Sequence, residues 1–254
     1  YYGIYYCTIR FKKNVIMDIN SDVGELNNLL ADNTYEKLMD HVDSVNIACG
    51  GHAGDETMMA AMINIAIAKN VNIGAHPSYP DKENFGRNEM DIDSNELLDV
   101  VRDQVQLLVD IAENNGGHVS HVKPHGALYN TAAHNEVIAQ SIGEAIIQVD
   151  PSLKVMGLAG SGMISCFDEL GLETISESFA DRAYENDGSL RERKHDDALI
   201  TDPIKAANQA RDLTNGFVMS VEGSRVEIDA QTICIHSDTP NAVALASAVK
   251  ETIQ

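Results

Sequence analysis

Short apolar runs alternate along this chain with longer stretches in which apolar positions recur every three or four residues. The short runs lie at 15–20, 45–49, 71–75, 118–122, 154–158, 173–179 and 232–236, and their length and β-branched content predict strands. Between them, Leu97, Leu98, Val101, Val105, Leu108 and Ile111 keep helical spacing until Gly116-Gly117 stops it. The same periodicity predicts helices over 57–69, 135–149, 162–170, 203–214 and 241–252. Residues 217–228 carry the turn Glu222-Gly223-Ser224 and read as a hairpin set before the last strand. Strands regularly alternating with helices, and no Pro/Gly/Ser-rich linker, predict β-α units wound around a parallel sheet. A single α/β domain over 14–254, a seven-stranded parallel β/α barrel, is expected, with residues 1–13 as an extension outside it.

Composition narrows the function. Hydrophobic residues make up 44% and charged residues 22% of the chain, as in an ordinary globular protein with a sizeable core. Against 18 Lys+Arg stand 39 Asp+Glu, and the formal charge of -21 repels nucleic acid and anionic membrane surfaces. Cys7, Cys49, Cys166 and Cys234 are widely spaced, which fits neither a zinc knuckle nor a disulfide scaffold and points to a reducing, cytoplasmic setting. The opening segment ends in Lys12-Lys13, unlike a secretory signal, and no apolar run reaches membrane-spanning length.

The chemistry collects at the strand ends. Asn20 ends the first strand and Asp22 and Glu25 follow it; His52 and Asp55 follow the second, His76 the third, and Lys123 and His125 the fourth. Ser161 follows the fifth, Asp181 and Arg182 the sixth, and His236 and Asp238 the seventh. In parallel barrels the loops at the C-terminal strand ends build the active site, so these residues are expected around one mouth. Side chains on a strand alternate, which puts His121, Lys123 and His125 on one face and Asp18, Asn20 and Asp22 on another. Buried without partners, such groups would cost roughly 2–7 kcal/mol each when neutral and more when charged, so a functional cavity is the simpler explanation. His41, His118, His134 and His195 lack that placement and read as structural, while Asp22 and Glu25 could instead cap a helix. Arg87, in Phe85-Gly86-Arg87, reads as an anion clamp or a surface residue.

Seven stretches in order resemble the LamB/YcsF family: DINSDVGE at 18–25, NIACGGHAGDE at 46–56, GAHPSYPD at 74–81 with FGR at 85–87, HVKPHGALYN at 121–130, GLAGS at 157–161, ESFADRAY at 177–184 and CIHSDTP at 234–240. The resemblance implies a TIM-like barrel of the glycoside hydrolase/deacetylase-like superfamily. It also implies ATP-dependent opening of the 5-oxoproline lactam to glutamate, together with 5-oxoprolinase subunits B and C. Asp22, His52, His76, Lys123 and His125 are then the expected catalytic group. Asp181, Arg182, His236 and Asp238, joined by Asn20, Glu25 and Arg87, are the expected substrate-binding set. Asp22 or His125 would serve as base, Lys123 as electrostatic stabiliser and Arg182 as the clamp on the substrate carboxylate. No Gly-x-x-x-x-Gly-Lys-Ser/Thr loop occurs, in keeping with ATP bound by the partner subunits. Whether a divalent metal takes part is left open. Two other readings also stand: a free-standing metal-dependent deacetylase, and a non-catalytic substrate-binding subunit.

Overall fold

The computed structural model describes residues 17–254; the expected extension over 1–13 and the start of the first expected strand lie outside the described residues. Strands β1 (Asp18–Val23), β2 (Ser44–Ala48), β3 (Asn72–His76), β4 (Val119–Val122), β5 (Lys154–Leu158) and β6 (Thr174–Phe179) are followed by the short strands β7 (Phe217–Met219) and β8 (Arg225–Glu227), then β9 (Thr232–Cys234). Seven of these close a parallel barrel in the order β1-β2-β3-β4-β5-β6-β9, while β7 and β8 form the separate antiparallel hairpin.

The helices are α1 (Asn27–Ala31), α2 (Thr34–Leu38), α3 (Glu56–Lys69), α4 (Ser94–Asn114), α5 (Gly126–Ala132), α6 (Glu136–Val149), α7 (Gly162–Glu169), α8 (Pro203–Thr214) and α9 (Ala242–Ile253). Side chains starting four of them satisfy free backbone N–H groups. Asp55 accepts from Met58 N at α3, Asp93 from Asn95 N at α4, Asn135 from Val137 N and Ile138 N at α6, and Asp202 from Ile204 N and Lys205 N at α8. Among the described residues no helix is long and apolar enough to cross a membrane.

The apolar core lies between strands and helices. Ile19, Val23, Val45, Ile47, Ile73, Val155 and Ile233 are buried there with Met59, Met62, Ile63, Leu97, Val101, Val105, Leu108 and Phe167. The alternate strand residues turn inward, and most of them are polar. The first strand ends three residues later than the 15–20 run suggests, because the polar Asp22 continues the ladder, pairing in register with Asn46. Neither Asp22 nor Glu25 caps a helix: Leu26 stands at the start of α1, without a side-chain cap bond.

Candidate active site at the C-terminal mouth of the barrel

The barrel interior is a chain of hydrogen bonds. Asp18 accepts from Ser44 Oγ at 2.8 Å and Thr232 Oγ1 at 2.5 Å. One layer higher, Asn20 donates to Thr232 Oγ1 at 2.8 Å, and Asn46 Nδ2 donates to Asn20 Oδ1 at 2.9 Å and Asp22 Oδ1 at 2.8 Å. With its amide nitrogen used in this way, Asn46 presents its oxygen to His121 Nε2 at 2.8 Å, so His121 donates there. Burial, then Lys123, push the His121 pKa down to about 3, and the ring is neutral. Only a residue without Cβ fits opposite that ring: a Cβ on Gly74 would lie 2.1 Å from His121 Nε2.

Lys123 closes this floor. Its ammonium is 2.9 Å from Asp22 Oδ1, 2.8 Å from Glu177 Oε1, 3.3 Å from Asn20 Oδ1 and 3.2 Å from Cys234 Sγ. It also stands 5.5 Å from the centre of the Phe179 ring. Burial opposes the charged form, but Asp22, Cys234 and Glu177 outweigh it and hold the Lys123 pKa well above the usual lysine range. Burial likewise opposes the Asp22 carboxylate, and His76 and Lys123 outweigh it, so Asp22 remains ionised well below the usual carboxylate range.

Above the floor three imidazoles surround Glu25. Its Oε1 is 3.0 Å from His52 Nε2, 3.3 Å from His125 Nδ1 and 3.9 Å from His76 Nε2. His52 and His125 stack with ring centres 3.6 Å apart and planes 2° from parallel. His76 meets both edge-on, and its Nε2 lies 3.4 Å from Asp22 Oδ2. Burial, then His76, push the His52 pKa down to about 2; burial, then His52 and His76, hold His125 well below the usual histidine range. Burial raises the Glu25 carboxyl, despite the attraction of His125. The turn Phe85-Gly86 lies over the stack, and a Cβ on Gly86 would come 2.9 Å from His52 Cβ.

A cavity of about 470 Å³ opens onto these groups, within the size range of small-molecule sites. Asp22, Glu25, His76, Lys123 and His125 line its inner end, and Arg87, Arg182, Arg193, His236 and Asp238 its outer part. Arg87 pairs with Asp238 at 2.6 Å, and Arg193 approaches the same carboxylate at 3.6 Å. Arg182 donates to Arg191 O at 2.7 Å, and burial, then Arg193, lower its pKa to about 10. His236 Nδ1 lies 3.1 Å from each Asp181 oxygen, and its ring stacks on Phe179 at 5.5 Å.

Nine of the twelve site residues expected from sequence therefore line one cavity. Asn20, His52 and Asp181 stand behind its wall, holding Lys123, Glu25 and His236 respectively. Glu177, Asn46, Phe179 and Arg193 were not among the expected residues. Glu177 sits within a strand between Ser176 and Ser178, where a polar residue reads as the solvent face. Its position opposite Lys123 becomes visible only once the barrel closes. Among the described residues two sets of side chains could hold a metal ion, Glu25 with His52, His76 and His125, and Asp22 with Cys234 and His236; within each set the ligand atoms lie within 4.8 Å of one another.

A closed β/α barrel whose ionisable groups gather at the C-terminal strand ends has the build of a barrel enzyme. Residues 17–254 match the LamB/YcsF family profile, and the chain belongs to that family. It is 46% identical over 235 residues to the 5-oxoprolinase A subunit of Shouchella clausii, covering 92% of this chain and 93% of the relative. It is 41% identical to the protein of the same name from Chloroflexus aggregans, covering 94% and 95% of the two chains. The crystal structure of a lactam utilization protein from Thermus thermophilus superposes with a TM-score of 0.85 at 36% identity, covering 93% of this chain and 95% of that one.

Proposed function

We propose that this chain is the A subunit of an ATP-dependent 5-oxoprolinase, opening 5-oxo-L-proline to L-glutamate with partner subunits B and C. The two-ended cavity carries this reading. Its inner end offers carboxylates, imidazoles and a buried ammonium for amide chemistry, and its outer part offers arginines for a carboxylate. 5-Oxoproline has one amide and one carboxylate, a short distance apart.

A lactam amide is held by resonance, and its opening is coupled to ATP. ATP is assigned to the partner subunits, and the amide oxygen is activated by phosphorylation. Water then attacks the carbonyl carbon, the ring C–N bond breaks and the nitrogen takes a proton to become the amine of glutamate, and a second water releases phosphate from the resulting acyl phosphate. Glu25, His76 and His125 activate the water, since their acceptor atoms converge beside the inner end of the cavity. Asp22 stays a carboxylate and holds Lys123, whose positive charge faces the oxygen on which negative charge grows. Arg182, with Arg193 and Arg87 nearby, holds the substrate carboxylate. His236 and Asp238 complete the binding wall. A cytoplasmic location agrees with the free, buried Cys49, Cys166 and Cys234.

The test is glutamate and phosphate formation from 5-oxoproline and ATP by the chain alone and by the chain with its two partners. ATP-coupled glutamate should appear only in the full mixture. Robust turnover by the isolated chain, or release of acetate from an N-acetyl sugar without ATP, would overturn the subunit reading.

A further inference from the structure

The ring protons of His76 and His125 are committed away from each other. His76 Nδ1 lies 2.7 Å from the Lys123 carbonyl oxygen, which only accepts, so Nδ1 donates; in the neutral ring, the form that binds a metal, Nε2 then keeps its lone pair, whereas in the charged ring it donates to Asp22 Oδ2. His125 Nε2 lies 3.0 Å from the Phe85 carbonyl oxygen, so it donates there and Nδ1 keeps its lone pair. Phe85 holds that carbonyl from a left-handed backbone, φ 57°, which is strained for a bulky side chain. The two lone-pair nitrogens are 3.0 Å apart. Glu25 Oε1 stands 3.3 Å from one and 3.9 Å from the other, and Asp22 Oδ2 is 3.4 Å from His76 Nε2. Three acceptor atoms thus converge, His76 Nε2, His125 Nδ1 and Glu25 Oε1, with no ring proton between the two imidazoles.

We propose that a divalent transition-metal ion binds between His76 Nε2, His125 Nδ1 and Glu25 Oε1, with Asp22 Oδ2 beside it, 3.4 Å from His76 Nε2. Metal–ligand bonds of about 2.0–2.1 Å at tetrahedral angles give ligand-to-ligand edges of about 3.3–3.4 Å, and the measured edges straddle that value. A single extra proton could bridge only one edge. Each imidazole already donates its far nitrogen to a backbone carbonyl, the outer contact that fixes a metal-binding histidine. Charge points the same way, because Lys123 pairs with Asp22 and Glu177, whereas the Glu25 carboxyl faces the imidazoles of His52, His76 and His125.

His52 takes a different role. Its ring stacks on His125 and its Nε2 lies 3.0 Å from Glu25 Oε1, so that, donating there, it orients the Glu25 carboxylate. The second possible set is less suited, because Cys234 Sγ accepts from Lys123 and burial holds its thiol well above the usual range. All three proposed ligands line the cavity, which leaves a coordination position open to substrate or water. An ion there would lower the pKa of a bound water and supply hydroxide near neutral pH.

Binding can be measured without partners or turnover, so its failure and that of the 5-oxoprolinase reading are separable. The full chain is stripped with a chelator, then titrated with Zn²⁺ by calorimetry and with Co²⁺ by visible absorption. The expected result is one ion per chain with a Kd below about 1 µM, and a Co²⁺ spectrum without a thiolate charge-transfer band. His76→Gln and His125→Gln should each weaken binding at least about 100-fold, while the exposed His118→Gln should bind like the parent. Glu25→Gln keeps the shape of the site and serves if a histidine variant misfolds. Failure to bind one ion per chain, a thiolate band, or unchanged affinity in folded Glu25→Gln would each overturn the proposal.

Discussion

A buried ammonium held between carboxylates is stable only while all its partners remain, since removing one leaves charge without compensation. Lys123→Met keeps the length of the side chain but strands Asp22 and Glu177 in the barrel. The expected result is a loss of roughly 3–5 kcal/mol of stability, read by denaturant unfolding. In the reconstituted enzyme, turnover should fall by about 10²–10³-fold, the scale of losing one preorganised charge beside the reacting oxygen. Turnover within about threefold of the parent, less than about 0.7 kcal/mol, would remove Lys123 from the chemistry. His121 acts at one remove. Its proton fixes the Asn46 amide, and that amide in turn fixes Asn20 and Asp22, so the ring orders the floor without touching the cavity.

At the scale of elements, caps set where the helices begin and so where the loops above the barrel are anchored. Asp202 accepts from two backbone N–H groups at the start of α8, with Pro203 in the first turn. Asp202→Ala should lower Tm by about 2–4 °C, measured by thermal unfolding, because capping contributes modestly in a chain of this length. A fall of more than about 10 °C would show that the residue does more than cap. How legible an element was depended on whether its polar residues faced solvent. The bounds of β5 and α8 match the runs at 154–158 and 203–214, where the pattern is undisturbed. In β1 the inward Asp22 read as lying beyond the strand, because a polar residue inside a barrel breaks the pattern that marks a strand. Helix α5 is short and follows directly on Pro124-His125, so its periodicity never emerged. Strand-end histidines were legible from position alone, but their mutual distances were not. Arg193 lay in a segment without periodicity, and only the folded chain brings it to Asp238.

For the whole molecule, barrel closure makes a single site out of residues spread from Asp22 to Asp238. No one β-α unit holds both the inner and the outer end of the cavity, so the site belongs to the closed barrel. If this cavity takes part in the chemistry and does not only capture substrate for its partners, turnover must depend on Glu25 even when every site is filled. That dependence is read from steady-state glutamate formation by the complex reconstituted with Glu25→Gln, at saturating 5-oxoproline and ATP, with assembly checked by size-exclusion chromatography. The expected result is an intact complex whose kcat is at least about 100-fold below the parent, a loss of transition-state stabilisation of about 2.7 kcal/mol or more. An intact complex with kcat within about threefold of the parent and only KM raised would refute a catalytic role, and would make the chain a binding subunit.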